Sequence, residues 1–377
     1  MPENDPQHDN AEAHTPTWSG PLPLRGGRAL PGCLWLAPLT NLQSPDQGRL
    51  SNTERDWLLS RADGGLQVIE TCAAYVHPDG QAWPGQLGVA TAEQCEALRP
   101  LAEGLAARGA AGLVQLFHGG ARADRALTGQ PTWSLSRFEE ASKGFVPPEA
   151  ATEERLLAVI SEQATAAARV EAVGFAGVEL HAAHGYLLGQ ALSTVSNTRD
   201  DQWGGSLENR ARLLRESVRA VRAATGPGFI LGVRLSPEDM GQAKGLDLDE
   251  SLQVAAWLAE DGVDFLHLSL WDCAKNTAKR PDQHPIPLFR AAVGEQVALV
   301  AAGAIWTAED VDRAFALGAD AVAVGKAAIG HQDWAAQLER GETPSRPPFT
   351  AEHLKQNSVS EVFINYLSKF RGFVAAG

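Results

Sequence analysis

Six consecutive residues, His181-Ala182-Ala183-His184-Gly185-Tyr186, concentrate the chemistry available to this chain. Two histidines three apart admit three readings. They could ligate a metal, they could be a satisfied structural pair, or they could grip a carbonyl oxygen as neutral rings, each donating from one nitrogen. In the last case they would stabilise negative charge developing on that oxygen, as an oxyanion hole does. Tyr186 would then stand ready as a proton donor. HxxH alone specifies no metal. A barrel hydrolase would add His-x-His on its first strand, where this chain has Leu34-Trp35-Leu36.

Two further polar residues sit in apolar surroundings. Arg234 lies in the run LGVRLS and Gln115 in LVQLF. A buried guanidinium or amide needs partners, because burying either alone is costly. Each could belong to a structural pair, or both could meet a planar, uracil-like ring edge with its alternating donors and acceptors. Glycines 303 and 325 each close an apolar run and are followed by Ala304 and Lys326. Glycine lets backbone amides approach an anion closely and lysine adds a point charge, so the pair favours a phosphate.

The elements that must position these residues follow from hydrophobic patterning. Short, nearly continuous apolar runs occur at Leu34–Ala37, Leu66–Glu70, Leu113–Phe117, Gly177–Leu180, Phe229–Leu235, Phe265–Leu268, Ala298–Ala301 and Ala321–Val324. Such runs suit parallel strands covered on both faces. Helical stretches alternate with them. Thr91 and Gln94 form a capping box before Cys95–Ala107. Thr152 precedes a helix with Leu156, Ile160, Ala164 and Ala167 on one face, ending at Gly174. Ser206 and Thr307 open two more, which stop near Gly226 and Gly318.

Eight strand–helix units predict a single (β/α)8 TIM barrel over residues 28–343. An open doubly wound sheet would want a glycine-rich turn after the first strand, and no GxGxxG occurs. In a barrel the chemistry lies at the C-terminal strand ends. Those ends carry Pro38, Leu39 and Thr40; Thr71, Cys72 and Ala73; His181, His184 and Tyr186; and the two glycine turns. A long loop insertion, Gly119–Ala151, follows strand three and reads as a lid. Its residues, with Trp271 and Trp306 near strand ends, are expected to shape the pocket. Residues 1–27 read as a loosely ordered leader, and 344–377 as a tail that docks on the barrel or on a neighbouring subunit, as in a homo-oligomer.

Composition narrows the function classes. A net charge of −14 disfavours nucleic acid and anionic membrane as partners. No apolar run is long enough to span a bilayer. The four cysteines are scattered without CxxC, which argues against a disulfide framework, structural zinc or an iron–sulfur cluster. The expected location is the cytoplasm.

With these residues in place, the chain resembles the Old Yellow Enzyme family of NADH:flavin oxidoreductases, the FMN-dependent ene-reductases. The resemblance rests on APLT (Ala37–Thr40), VQLFHGG (Val114–Gly120), GVELHAAHGYLLGQALSTVSNTRDDQWGGSLENRARL (Gly177–Leu213), GVRLSPE (Gly232–Glu238), VAAGAI (Val300–Ile305) and AVGKAAI (Ala323–Ile329). The fourth-strand motif is the most specific. The resemblance implies a TIM barrel holding FMN noncovalently, with Pro38 and Thr40 against the isoalloxazine and Ala73 at the small-residue position. It places Gln115 and Arg234 on the pyrimidine edge and Gly303, Ala304, Gly325 and Lys326 at the phosphate. His181 and His184 would hold the carbonyl of an enone or enal, and Tyr186 would protonate it, with NADH or NADPH as hydride donor. The chain departs from the family at Lys326, where arginine is usual, and at Cys72, where an acidic residue is usual. The longer relatives with an iron–sulfur domain need a cysteine cluster after the barrel, and none follows Cys273. The rival readings are a flavin-binding redox or sensing protein without turnover, and a metal-dependent barrel hydrolase.

Overall fold

Eight strands close into one parallel cylinder in the computed structural model, which describes residues 18, 20–141, 144–241 and 244–375. They are β1 (Leu34–Leu36), β2 (Val68–Glu70), β3 (Ala111–Phe117) and β4 (Gly177–Ala182). The remaining four are β5 (Ile230–Leu235), β6 (Phe265–Ser269), β7 (Ala298–Ala302) and β8 (Ala321–Val324). Each pairs with its sequence neighbour, and β8 pairs back onto β1 through Val322 opposite Leu34. Apart from Ala111, every strand residue is buried. That two-sided burial is why the runs read as continuously apolar.

Helices cover the outside, one after each strand. They are α1 (Asn52–Asp63), α2 (Arg99–Ala106), α3 (Glu153–Ala172), α4 (Leu207–Ala224), α5 (Leu248–Asp261), α6 (Pro285–Val293), α7 (Ala308–Ala316) and α8 (Trp334–Glu339). The expected start signals act as caps. Thr152 and Ser206 accept from the amides of Arg155 and Asn209, and Thr307 with Asp310 closes a capping box. The Thr91–Gln94 box opens a short turn, Ala92–Glu96, ahead of α2. On α3 the buried stripe runs through Leu156, Val159, Ile160, Gln163 and Ala167, so Ala164 falls beside it rather than on it.

The barrel interior is filled in layers. Near its N-terminal end Trp35 and Phe265 meet edge to face, with ring centroids 5.0 Å apart. Gly232 makes room for them, since a Cβ there would lie 2.0 Å from the Phe265 ring. Above this apolar layer come Glu70, Gln115, Glu179, Arg234 and His267, all buried.

Two peripheral segments differ from a bare barrel. Most of the predicted leader lies outside the described residues, but its end is ordered. Leu22–Pro23 pairs antiparallel with Ala29–Leu30, and Trp18, Leu22 and Leu24 are buried, so the loosely ordered stretch does not extend to 27. The tail packs on its own barrel. Its helix Glu361–Leu367 buries Phe363, Ile364 and Leu367, and Arg61 of α1 donates to the Asn357 carbonyl at 2.8 Å.

Candidate active site

The C-terminal mouth of the barrel holds a cavity of about 240 Å³. Its walls bring together nine of the twelve residues singled out from sequence: Pro38, Thr40, Ala73, Gln115, His181, His184, Tyr186, Arg234 and Lys326. Gly303, Ala304 and Gly325 lie at the ends of β7 and β8, off this wall. The Gly303-Ala304 turn is left-handed, with φ of 153° and 53°. A Cβ at Gly303 would fall 2.4 Å from the Leu270 carbonyl oxygen, so glycine is required there by packing. Lys326 is exposed and has no ion pair among the described residues.

The two imidazoles reach the mouth from the end of β4. His181 Nδ1 accepts from the Ala183 amide at 3.3 Å, which assigns its proton to Nε2 and makes that nitrogen a donor. His184 Nε2 is 2.6 Å from Ser269 Oγ. If Ser269 donates there, His184 Nδ1 carries the free N–H. The rings stand at 89° with centroids 5.0 Å apart. His184 adopts a left-handed backbone with φ 58°, a conformation that is costly for a side chain with a Cβ and that clusters at functional sites. Burial holds both imidazoles neutral. The pKa of His181 is pushed well below the ordinary histidine range, by burial first and then by His184 and Arg234. That of His184 is pulled down to about 3 by burial, helped by Arg234 and His267.

Tyr186 packs edge to face on Phe117, ring centroids 4.4 Å apart, and lies 5.2 Å from the His181 ring. Its hydroxyl makes no hydrogen bond among the described residues. Burial raises its pKa to about 12, so it keeps its proton. The site thus offers a neutral N–H donor at His181, a second neutral imidazole at His184 and one neutral O–H on one wall.

The cavity floor comes from β3 and β5. Gln115 Nε2 donates to Glu179 Oε1 at 2.6 Å, which leaves the amide oxygen as the group free to face the cavity. Arg234 Nε is buried without a partner. Such an orphaned donor calls for an acceptor from a ligand. These residues fit the pyrimidine edge of a flavin, which would find an acceptor at Gln115 and a cation at Arg234. Ala73 sits on the cavity wall and Cys72 does not, which suits the small-residue position at Ala73.

Sequence reasoning missed several residues. Trp83, from the loop after β2, and Tyr366, Leu367, Phe370 and Phe373 from the tail complete the cavity. Buried Glu54 on α1 accepts from Asn41 Nδ2 at 2.8 Å and Ser44 Oγ at 2.5 Å, anchoring the loop that carries Pro38 and Thr40. Asp79 clamps the loops. Its Oδ1 meets His77 Nδ1 at 2.7 Å and His118 Nε2 at 2.8 Å, and its Oδ2 meets Trp133 Nε1 at 2.9 Å and Arg155 at 2.8 Å. None of the described residues of the 119–151 insertion lines the cavity. The insertion borders an adjoining groove that shares Trp83 and Tyr186 with it. Trp271 is 72% exposed and Trp306 is buried against Trp334 and Phe349, so neither shapes the cavity.

Among the described residues, Glu70, Glu179 and His267 form the one group of three metal-type ligands, their ligand atoms within 4.8 Å of one another. The group excludes His181 and His184. No helix among the described residues is long and apolar enough to cross a membrane.

Residues 28–344 match the NADH:flavin oxidoreductase / NADH oxidase family. The NADH:fumarate oxidoreductase of Klebsiella pneumoniae (strain 342) is 32% identical over 339 residues, covering 85% of this chain and 36% of that longer protein. The NADPH dehydrogenase of Bacillus velezensis is 35% identical over 276 residues, covering 72% of this chain and 78% of the relative. An Old Yellow Enzyme homologue from Zymomonas mobilis superposes with a TM-score of 0.78 at 24% identity, covering 89% of this chain and 95% of its own.

Proposed function

Because the chain belongs to the NADH:flavin oxidoreductase / NADH oxidase family, the family of the Old Yellow Enzymes, and so is an NAD(P)H-dependent flavin oxidoreductase, we propose that it reduces the C=C bond of α,β-unsaturated carbonyl compounds. One observation carries this reading. The two neutral imidazole donors and the unpartnered Tyr186 hydroxyl converge on one wall of a cavity whose floor presents Gln115 and Arg234. Bound FMN would supply the hydride, taken from NADH or NADPH. Arg234, Gln115 and Ala73 would hold the ring, Pro38 and Thr40 would pack against it, and Lys326 with the backbone at Gly303, Ala304 and Gly325 would meet the phosphate.

The chain's own groups then act on the substrate. His181 Nε2–H and the free N–H of His184 hold the carbonyl oxygen, which makes the β-carbon electrophilic and stabilises charge on the oxygen. Both rings must be neutral for this, since an imidazolium pair would repel itself in the buried site. Tyr186 gives its O–H proton to the α-carbon. The substrate is a small enone or enal, and the working form is a cytoplasmic enzyme able to associate as a homo-oligomer.

The test is direct. The purified protein should show a flavin absorption spectrum that bleaches anaerobically with NADPH or NADH and recovers on adding cyclohexenone. Bleaching without recovery would refute ene-reduction and leave a redox or sensing role. A colourless protein with bound zinc would favour a hydrolase.

A further inference from the structure

A second cluster sits beneath the cavity. Glu70 ends β2, Glu179 lies on β4, Arg234 on β5 and His267 on β6, and all are buried in the middle of the barrel. Glu179 is well satisfied. Its Oε1 accepts from Gln115 Nε2 at 2.6 Å and its Oε2 from His267 Nδ1 at 2.7 Å. Glu70 is not, because neither of its oxygens has a donor, and His267 Nδ1, already committed to Glu179, is 3.8 Å away. His267 Nε2 also lacks a partner.

The charges can be counted from this geometry. Arg234 brings the fixed cation of this layer; neither carboxylate lies within ion-pair distance of it, but the charges of Glu179 and Glu70 both act on it through space. A bare carboxylate with no donor, walled off from water, is far too costly to persist. Two carboxylates in one site cannot both ionise readily. A proton on Glu70 removes both problems and gives it an O–H to point at Glu179. Burial, reinforced by Glu179, accordingly pushes the Glu70 carboxyl well above the usual range. Burial likewise lowers the His267 pKa and keeps that ring neutral. His181, from the layer above, is neutral as well.

We propose that Glu70 and Glu179 form a carboxylic acid–carboxylate pair sharing one proton, whose single negative charge balances Arg234 and so sets the reduction potential of the flavin that Arg234 and Gln115 hold. The proposal rests on the flavin reading above. Glu70 and Glu179 are positioning residues, one layer below the ring edge. Reduction adds negative charge to that edge, next to Arg234. A compensated Arg234 stabilises it less than a bare one would.

Glu70→Gln copies the protonated acid, so it should leave the two-electron midpoint potential of the FMN-loaded protein within about 10 mV, less than a roughly twofold change in relative affinity. Adding Glu179→Gln leaves Arg234 uncompensated. The double variant should then bind reduced over oxidised FMN at least about tenfold more favourably, a rise of about 30 mV. A purely structural cluster would weaken both forms alike and leave the potential still. Glu70→Gln shifting as far as the double variant would overturn the proposal, because Glu70 would then carry the charge. An unmoved double variant would overturn it too. The infrared spectrum of the flavin-free protein supplies an independent readout. A protonated carboxyl band, shifted in heavy water, should vanish in Glu70→Gln, and a wild-type spectrum matching the variant's in that region refutes the proton. It decides the point even if the double variant fails to fold. If no FMN binds at all, the flavin reading fails while the infrared result still stands or falls alone.

Discussion

Tyr186→Phe separates the two halves of the proposed reaction. The substitution removes one oxygen and keeps the ring that packs on Phe117 and His181. Among the described residues the hydroxyl has no partner to leave unsatisfied, so the fold should lose little, less than about 1 kcal/mol, and the melting temperature should stay within a few degrees. Proton delivery is another matter. A positioned general acid contributes roughly 10²–10⁴ in rate, about 3–5 kcal/mol of barrier. With the tyrosine pKa near 12, the group is fully protonated at neutral pH and strong enough to quench a carbon centre as charge develops on it. Anaerobic stopped-flow measurement should therefore show flavin bleaching by NADPH within about twofold of wild type and reoxidation by cyclohexenone slowed by at least about a hundredfold. Equal loss in both steps, or a loss under about threefold in reoxidation, would refute the assignment of Tyr186 as the acid.

His184→Ala removes one of two donors to the carbonyl and should slow enone reoxidation by roughly 10²–10³ while bleaching by NADPH persists, checked in the same apparatus. Acid should destabilise the protein through its buried imidazoles. His184 has a folded pKa of about 3, below its unfolded value, so the unfolded chain binds the extra proton and stability falls as pH drops from about 6.5 towards 3. The slope is about 1.4 kcal/mol per pH unit for each such ring, and urea titrations from pH 7 to 4 should be flatter in His184→Asn than in wild type. Asp79→Asn removes the charge that four donors share, with the Asp79 carboxylate held well below its usual range by His118, His77 and Arg155 against the opposing effect of burial. It should cost about 3–5 kcal/mol and expose the 119–151 insertion to limited proteolysis. Protection equal to wild type would show that the clamp is idle.

The barrel was legible because parallel strands buried on both faces leave unbroken apolar runs, and because Thr, Ser and Gly mark helix ends by simple hydrogen-bond and steric rules. The gathering of polar residues at the barrel mouth was legible for a related reason. A polar residue inside an apolar run, such as Gln115 or Arg234, must have a purpose. What escaped notice depended on contacts distant in sequence. Tyr366 and Thr40 line one cavity from more than 300 residues apart, and nothing local to NYLSKF marks it as cavity wall. Trp271 and Trp306 were placed near strand ends correctly, but side-chain direction in a loop has no periodicity to read. In the sequence Glu70 is no more than the last residue of the run Leu66–Glu70. Its protonation depends on which charges surround it in the closed barrel, and a linear sequence does not give that.

The charges of the site follow one logic from floor to mouth. Arg234 is the fixed cation of the layer, and its Coulomb effect reaches His181 and His184 as well as Glu70 and Glu179. Burial first, and that same cation after it, keep the histidines from protonating, so no charge on them repels the other. Arg234→Ala should therefore do more than weaken flavin binding. With the cation gone, burial still depresses the imidazoles, but the Glu70–Glu179 pair loses its counter-charge and must take up a second proton or admit water. Proton uptake near neutral pH, absent in wild type and abolished when Glu179→Gln is added, would show that the layer behaves as one balanced unit. A variant that folds, takes up no proton and keeps its acid stability profile would show that the charges act independently.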